Sequence, residues 1–91
     1  MTWAGVGIIT GASSGIGAAI AQKLSKNAKG LIIAARRNDK LQAIASQCGK
    51  HVIPIQCDVA KSDDVLKLAE SALSEFGSID AIVNNAGILP M

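Results

Sequence analysis

Glycines and hydroxyl side chains crowd one short segment of this sequence, which reads Thr10-Gly11-Ala12-Ser13-Ser14-Gly15-Ile16-Gly17. The segment follows a β-branched run and precedes apolar residues at helical spacing, so it predicts a strand, a turn and the start of a helix. Glycines at such a junction let the chain turn sharply and let a pyrophosphate approach the main chain, while the first N–H groups of the helix attract the anion. The segment therefore indicates a dinucleotide-binding site. A glycine turn that serves packing alone is the alternative.

Two further polar segments follow later strands of the predicted fold. Asp58 comes directly after one strand, and the run Asn84-Asn85-Ala86-Gly87 follows another. Ligands bind at the carboxyl ends of the strands in open α/β sheets, so we expect both segments to lie near the glycine turn. From the residues alone, Asp58 could equally cap the loop before the next helix, and the two asparagines could form a turn.

Short β-rich runs alternate with helical periodicity along the whole chain. The predicted strands cover residues 6–10, 31–35, 52–57 and 79–84. The first predicted helix covers residues 15–27; Asp39 is the predicted N-cap of the second, which ends at Gly49, and Ser62 that of the third, which ends at Gly77. The predicted inward faces of the three helices carry Ile16, Ala19, Ile20 and Leu24, then Leu41, Ile44, Ala45 and Cys48, and finally Val65, Leu68, Ala69, Ala72 and Phe76.

The order of these elements, with helices as crossovers, predicts a parallel sheet with right-handed connections. Pro54 removes a backbone donor from the third strand, which places that strand at a sheet edge. The strand order 3-2-1-4 meets this condition, whereas 2-1-3-4 would bury the proline. We therefore expect an α/β fold, a Rossmann-type three-layer unit with a parallel sheet in the order 3-2-1-4, truncated before the remaining strands. The fourth strand would then be the opposite edge of the sheet. It is apolar, and in a whole protein we expect a further strand to cover it.

The spacing TGxxxGxG of the glycine segment resembles that of the short-chain dehydrogenase/reductase family. Cys57-Asp58-Val59 and the run 84–87 look like two further motifs of that family, so the resemblance extends over the chain. It implies that residues 1–91 form an NAD(P)-binding Rossmann domain, the N-terminal fragment of a dehydrogenase/reductase that reduces a carbonyl or oxidises an alcohol. A non-catalytic nucleotide-binding or interaction module is the alternative.

The resemblance also implies roles for individual residues. The backbone around residues 14–17 would hold the pyrophosphate, Asp58 would bind the adenine amino group, and the Val59 N–H would meet an adenine ring nitrogen. Residues 85–87 would line the adenosine ribose, with Thr10 tying the first turn to that loop. The expected cofactor-binding residues are Thr10, Gly11, Ser13, Ser14, Gly15, Ile16, Gly17, Arg36, Arg37, Asp58, Val59, Asn85, Ala86 and Gly87.

The end of the second predicted strand bears on the choice of cofactor. An acidic residue there would accept hydrogen bonds from the ribose 2′-hydroxyl of NAD and repel a 2′-phosphate. Ala35 stands in that place, and Arg36 and Arg37 follow it. Guanidinium groups are forked, permanently charged phosphate donors, so NADP is the expected cofactor and NAD the alternative. Ser13 could add a hydroxyl contact, and Arg37 could equally be a solvated charge beside the helix.

The catalytic residues that the resemblance implies have no counterpart in this sequence. They are a tyrosine that acts as general acid, a lysine four positions later, a serine and an asparagine, and the sequence has no tyrosine. We therefore expect no catalytic residue among these 91 residues. A small-molecule substrate and a homo-oligomeric assembly are expected of the full-length protein.

Composition and charge argue against several other classes. Nine basic and seven acidic residues alternate along the chain, which favours neither nucleic acid nor a membrane as partner. Cys48, His51 and Cys57 fit no zinc spacing, so we expect no metal and two buried thiols in a reducing compartment. No apolar run approaches the roughly 18 residues of a membrane span, and the first residues do not resemble a secretion signal. We expect a cytoplasmic protein.

Overall fold

A computed structural model describes residues 3–13, 15–49, 51–58 and 61–84 of the chain. Strands and helices alternate as β1 (Val6–Thr10), α1 (Gly15–Leu24), β2 (Gly30–Ala35), α2 (Asn38–Cys48), β3 (Val52–Gln56), α3 (Ser62–Phe76) and β4 (Ala81–Asn84). The predicted order of elements is confirmed, although several of their ends differ from the prediction.

The sheet has the predicted topology. Its strands are parallel and follow the order β3-β2-β1-β4. Pro54 lies in the edge strand β3, opposite Ile33, where a missing N–H is tolerated. β1 is central, and its last residue, Thr10, pairs with Ala34 on one side and Asn84 on the other. All four strands therefore end at the same side of the molecule, which we call the carboxyl end of the sheet.

Helices cover both faces of the sheet. α1 and α2 pack on one face, over a core that includes Ile9 and Ile33, and α3 packs on the other, over Ile8 and Ile32. Every residue of β1 and β2 is buried, because both strands lie between two helical layers. The Rossmann-type three-layer prediction is confirmed.

Two aromatic side chains fill space that glycines leave at the opposite, amino end of the sheet. A Cβ on Gly7 would lie 3.0 Å from Cη2 of Trp3, and a Cβ on Gly30 would overlap the ring of Phe76. Neither strand position can take a side chain unless its neighbour moves. Glycine at these positions lets the one tryptophan and the one phenylalanine of the sequence pack on the sheet.

The predicted N-cap of the second helix is wrong. α2 begins at Asn38 with Arg37 as its N-cap, and no side-chain cap bond forms there. Asp39 lies inside the first turn, because the helical hydrogen bonds already start with the Leu41 N–H donating to the Arg37 carbonyl at 3.1 Å. Its carboxylate still favours the positive end of the helix.

The predicted N-cap of the third helix is wrong for a similar reason. The Lys61 carbonyl accepts a hydrogen bond from the Val65 N–H at 3.2 Å, so Lys61 is the N-cap and Ser62 is the first helical residue. The predicted helix ends are confirmed for these two helices. α2 stops at Gly49, and α3 stops at Gly77, which has a left-handed backbone.

The predicted inward face of α1 is partly wrong. Ile16 is 71% exposed and Ala19 is exposed, whereas the buried residues of this helix are Gly17 and Ala21. Ile20 and Leu24 are half-buried and pack against the core, so this part of the prediction is confirmed. The most deeply buried positions carry small residues, which a stripe of large apolar residues does not reveal. The helix is also shorter than predicted: it ends at Leu24.

The inward face of α2 is confirmed, and that of α3 is confirmed in part. In α2, Leu41 and Cys48 are buried. In α3, Leu68 and Ala72 are buried, but Val65 is 43% exposed and does not belong to the core. Within the described ranges, no helix is long and apolar enough to cross a membrane.

Candidate functional site

The glycine turn between β1 and α1 lies at the carboxyl end of the sheet. Gly11 and Gly15 have φ angles of 66° and 53°, in the left-handed region that favours glycine. The Ala12 N–H donates to the Ala34 carbonyl at 3.1 Å, which holds the turn to β2. A Cβ on Gly15 would meet no described atom within 4 Å. Packing therefore does not require glycine at this position, and open space adjoins the start of α1.

The first turn of α1 has the properties of an anion site. Its leading N–H groups have no acceptor within the helix, and the turn carries no acidic side chain. Gly17 is buried, while Gly15 and Ile16 are exposed. The turn thus presents backbone donors to solvent, beside the exposed apolar side chain of Ile16.

Thr10 connects the glycine turn to the neighbouring strand β4. Its side chain is buried, and its hydroxyl donates to the Val83 carbonyl at 3.4 Å. The carbonyl lies in the last part of β4, directly before the asparagine-containing run of the sequence. Residues 85–87, to which the family resemblance implies that Thr10 ties the first turn, lie outside the described residues.

Two arginines follow β2, and they differ in their surroundings. Arg37 Nη2 lies 3.6 Å from Asp39 Oδ2, and both side chains are largely exposed. The Lys40 backbone N–H and, to a smaller extent, the Arg37 charge lower the pKa of the Asp39 carboxyl. Among the described residues Arg36 belongs to no ion pair, and it is exposed. A bound phosphate would therefore compete with a carboxylate at Arg37 but not at Arg36.

The last residue of β3 contacts the same turn. Gln56 Nε2 donates to the backbone carbonyl of Arg36 at 3.1 Å. Directly after Gln56, the Cys57 N–H donates to the Ala35 carbonyl at 2.9 Å, which extends the pairing of β2 and β3. No periodicity or motif in the sequence indicated a role for Gln56.

The loop after β3 is held by a carboxylate from α3. The backbone N–H of Asp58 donates to Asp64 Oδ2 at 3.0 Å, and the Asp58 carbonyl accepts from the Lys61 N–H at 2.9 Å. Asp64 is the third residue of its helix, where an acidic side chain usually reaches back to the N-cap. Here it reaches further, to Asp58. The acidic first turn of α3 was visible in the sequence, but it did not indicate Asp58 as the partner of Asp64.

Cys57 lies between these polar contacts and is buried. Burial raises the pKa of its thiol, and the charges of Asp64 and Asp58 raise it further. Cys57 is therefore a neutral thiol at neutral pH. Cys48 is buried as well, so the expectation of two buried thiols is confirmed. In the described part of the chain, no three His, Cys, Asp or Glu side chains are grouped as metal ligands would be.

The fold brings most of the expected site residues to the carboxyl end of the sheet. These residues are Thr10, Gly11, Ser13, Gly15, Ile16, Gly17, Arg36, Arg37 and Asp58. The remaining expected site residues lie outside the described residues; they are Ser14, Val59, Asn85, Ala86 and Gly87. Gln56 and Asp64 are the two contacts that sequence reasoning missed.

One groove lies away from this site, near the amino end of the sheet. It has a volume of about 230 Å³ and is lined by Trp3, Ile20, Lys23, Leu24 and Asn27. Its lining is mainly apolar, and it includes none of the expected cofactor-binding residues. The polar, backbone-rich edge is therefore the candidate site.

Comparison with known proteins places this chain in one family. A family model described as short chain dehydrogenase matches residues 6–91. Tropinone reductase-like 1 of Erythroxylum coca is 42% identical over 84 residues, which cover 92% of this chain and 31% of the relative. Farnesol dehydrogenase of Aedes aegypti is 40% identical over an alignment of 92 positions, which covers 96% of this chain and 38% of the relative. The chain spans about a third of the length of the curated relatives it matches.

Solved structures agree with the fold. A 3-ketoacyl-(acyl-carrier-protein) reductase from Brucella melitensis, complexed with NADH, is 39% identical with a TM-score of 0.84 and covers 91% of this chain and 34% of its own. A short chain dehydrogenase/reductase from Burkholderia phymatum, in complex with NAD, is 32% identical with a TM-score of 0.81 and covers 87% of this chain and 29% of its own.

Proposed function

This chain belongs to the short chain dehydrogenase family, and we propose that it is the dinucleotide-binding part of an NADP-dependent oxidoreductase that reduces a carbonyl or oxidises an alcohol. The observation that carries the proposal is the glycine turn. Gly15 has a left-handed backbone and open space in place of a Cβ, at the start of a helix whose N–H groups can bind an anion.

The pyrophosphate of the cofactor would bind at the start of α1. Backbone N–H groups around residues 14–17 would donate to it, with Gly11 shaping the turn. Ile16 is exposed beside this turn, so its apolar side chain would lose solvent contact when a ligand binds. A ligand bound at this site would therefore explain why Ile16 is exposed and does not pack in the core.

The adenosine would lie across the ends of β1, β3 and β4. Asp58 is half-buried after β3, and its backbone is held by Asp64, which orients it for the adenine amino group. The Val59 N–H would complete the adenine contacts. Residues 85–87 would line the ribose. They follow β4 in the sequence, and the Thr10 hydroxyl connects β1 to β4.

We propose NADP over NAD because of the end of β2. Ala35 offers no carboxylate to the ribose 2′-hydroxyl, and the next residue, Arg36, is an exposed guanidinium outside any described ion pair. A 2′-phosphate is doubly charged and matches the forked donors of arginine. Ser13 and Arg37 would add weaker contacts, since Arg37 already has Asp39 as a partner.

These residues would bind and orient the cofactor without moving a proton. The nicotinamide supplies or accepts a hydride when it is bound. The sequence has no tyrosine, so the general acid expected from the resemblance would come from other residues of the whole protein. Its small-molecule substrate, a homo-oligomeric state, a cytoplasmic location and the assignment of residues 1–91 as one cofactor-binding domain are parts of the same proposal. A nucleotide-binding module without turnover is the second candidate.

The pyrophosphate site can be tested with two matched glycine substitutions. Gly77 also has positive φ and open space around a Cβ, but it ends α3 away from the carboxyl end. Gly15→Ala and Gly77→Ala should each destabilise the fold by about 1 kcal/mol through backbone strain. Only Gly15→Ala should weaken NADPH binding, by about tenfold, because its Cβ enters the phosphate space.

NADPH fluorescence titration and urea unfolding of the full-length protein measure both effects. Equal loss of affinity in the two variants, or no NADPH binding by the unsubstituted protein, would contradict the proposed site. Turnover of a panel of alcohols and ketones separates the oxidoreductase from the module without turnover.

The cofactor preference has its own test. Arg36→Asp should lower NADP affinity about tenfold and bring the preference towards NAD, because it replaces a phosphate donor with a carboxylate. Arg37→Asp is the matched control and should change the preference less. An unchanged NADP affinity in Arg36→Asp would overturn the assignment of Arg36.

A further inference from the structure

The pairing of β2 and β3 continues beyond the strands through a side chain. Gln56, the last residue of β3, pairs with Ala35, and the Cys57 N–H donates to the Ala35 carbonyl at 2.9 Å. The next carbonyl along the β2 side is that of Arg36. It accepts from Gln56 Nε2 at 3.1 Å, in a contact between residues 20 positions apart in the sequence. The Gln56 side chain thus adds one hydrogen bond where the backbone pairing of the two strands stops.

This hydrogen bond acts on the turn that carries Arg36. The turn has only Arg36 and Arg37 between β2 and α2, and the Arg37 carbonyl already accepts the first helical hydrogen bond of α2, from Leu41. The Arg36 peptide is therefore held by Gln56 on one side and by the helix on the other. An arginine side chain loses much conformational freedom when it binds a ligand, so a fixed backbone beneath it lowers the entropy that remains to be lost.

The chemistry of the glutamine fits a site for a doubly charged phosphate. Its amide donates to a carbonyl but carries no charge, so it cannot neutralise the neighbouring guanidinium as Asp39 does for Arg37. A glutamate at the same position could not donate to the Arg36 carbonyl and would repel the phosphate. The neutral amide of Gln56 therefore holds this turn without opposing the ligand.

We infer that Gln56 is a positioning residue for cofactor selectivity: through its hydrogen bond to the Arg36 carbonyl, it orients Arg36 towards the 2′-phosphate of NADP. The inference rests on the proposed function, because it requires Arg36 to contact that phosphate. NAD lacks the phosphate and does not use Arg36. Gln56 therefore affects the affinity for NADP and leaves the affinity for NAD unchanged.

A double-mutant cycle on the full-length protein tests this role. The dissociation constants of NADP and NAD are measured by calorimetry for the unsubstituted protein, Gln56→Leu, Arg36→Met and the double variant. Gln56→Leu should lower the NADP-to-NAD preference about threefold, the effect of one exposed hydrogen bond, and should have no further effect in the Arg36→Met background. Gln56→Glu, of nearly the same shape, should lower the preference more than Gln56→Leu.

Gln22 offers a matched control, because it also makes an exposed hydrogen bond through its side chain, to Gln47 between α1 and α2. Gln22→Leu should therefore leave the NADP-to-NAD preference unchanged.

The positioning role of Gln56 is overturned if Gln56→Leu leaves the NADP-to-NAD preference unchanged. It is also overturned if Gln56→Leu causes an equal loss of preference in the Arg36→Met background. If the unsubstituted protein does not prefer NADP, or Arg36→Met does not alter the preference, the proposed function itself fails. If Arg36→Met abolishes the preference and Gln56→Leu does not change it, only the inference about Gln56 fails.

Discussion

Glycines serve opposite purposes at the two ends of the sheet. At the amino end, Gly7 and Gly30 lie in strands with ordinary backbone angles, and their missing side chains are replaced by the rings of Trp3 and Phe76. At the carboxyl end, Gly15 has a left-handed backbone and no described atom close to the place of a Cβ. Packing requires glycine at positions 7 and 30. At position 15 the left-handed backbone favours glycine, and the space that a Cβ would occupy is open.

This difference predicts that substitutions at the two ends of the sheet will affect stability and ligand binding differently. The amino end buries aromatic area and closes the core, whereas the carboxyl end consists of turns held by single hydrogen bonds to neighbouring strands and helices. Substitutions at the amino end should therefore lower stability without changing ligand affinity in the folded protein. Those at the carboxyl end should lower ligand affinity, whether or not they also lower stability.

The largest effect on stability is expected for Gly30→Ala. The new Cβ would overlap the Phe76 ring, and overpacking of this kind costs about 3 kcal/mol of the free energy of unfolding. Urea denaturation measures the loss, and Phe76→Leu in the same chain should recover part of it because the smaller side chain makes room. NADPH affinity of the folded protein should be unchanged; a parallel loss of affinity would break the distinction between the two ends.

A smaller effect is expected where Asp64 holds the Asp58 backbone. Asp64→Leu removes the acceptor of the Asp58 N–H and should cost about 1 kcal/mol of stability, together with a loss of NADPH affinity. Asp64→Asn keeps an oxygen that can accept this hydrogen bond, so it should retain most of the affinity. If the two variants bind NADPH equally well, the contact does not position the adenine loop.

The smallest effect concerns the thiol of Cys57. Its pKa is raised by burial and then by the Asp64 and Asp58 charges, so in a Cys48→Ala background alkylation by iodoacetamide should be slow at neutral pH and should accelerate only at alkaline pH. Asp64→Asn removes one of the charges and should shift the acceleration to lower pH. Alkylation as fast as that of a free cysteine peptide would contradict the assignment.

The same raised pKa sets the sign of a contribution to stability. Because the folded thiol is a weaker acid than the unfolded one, this contribution is complete below the ordinary thiol pKa of about 8.5. It is lost as the pH rises through the higher pKa of the folded state. Urea midpoints of Cys57→Ala should therefore depend less on pH in the alkaline range than those of the unsubstituted protein.

Local sequence signals predicted the architecture well. Continuous apolar runs marked the buried strands β1 and β2, and Pro54 alone distinguished the strand order 3-2-1-4 from its rival. The glycine turn was located correctly between β1 and α1. The predicted starts of α2 and α3 were wrong, because main-chain hydrogen bonds and not side-chain caps decide where these helices begin. They begin at Asn38 and Ser62, one or two positions before the predicted starts.

By itself, the sequence determined which elements form, their order in the sheet and the segments that lie at its carboxyl end, because hydrophobic periodicity, proline and glycine act over a few residues. Only the tertiary structure decided which glycines make room for a ring, that Ile16 faces solvent, and that Gln56 and Asp64 hold the turns at Arg36 and Asp58. The Gln56 contact joins two strand ends, and the Asp64 contact bends back across a loop. Such distances are set by strand register and helix placement, which no local pattern encodes.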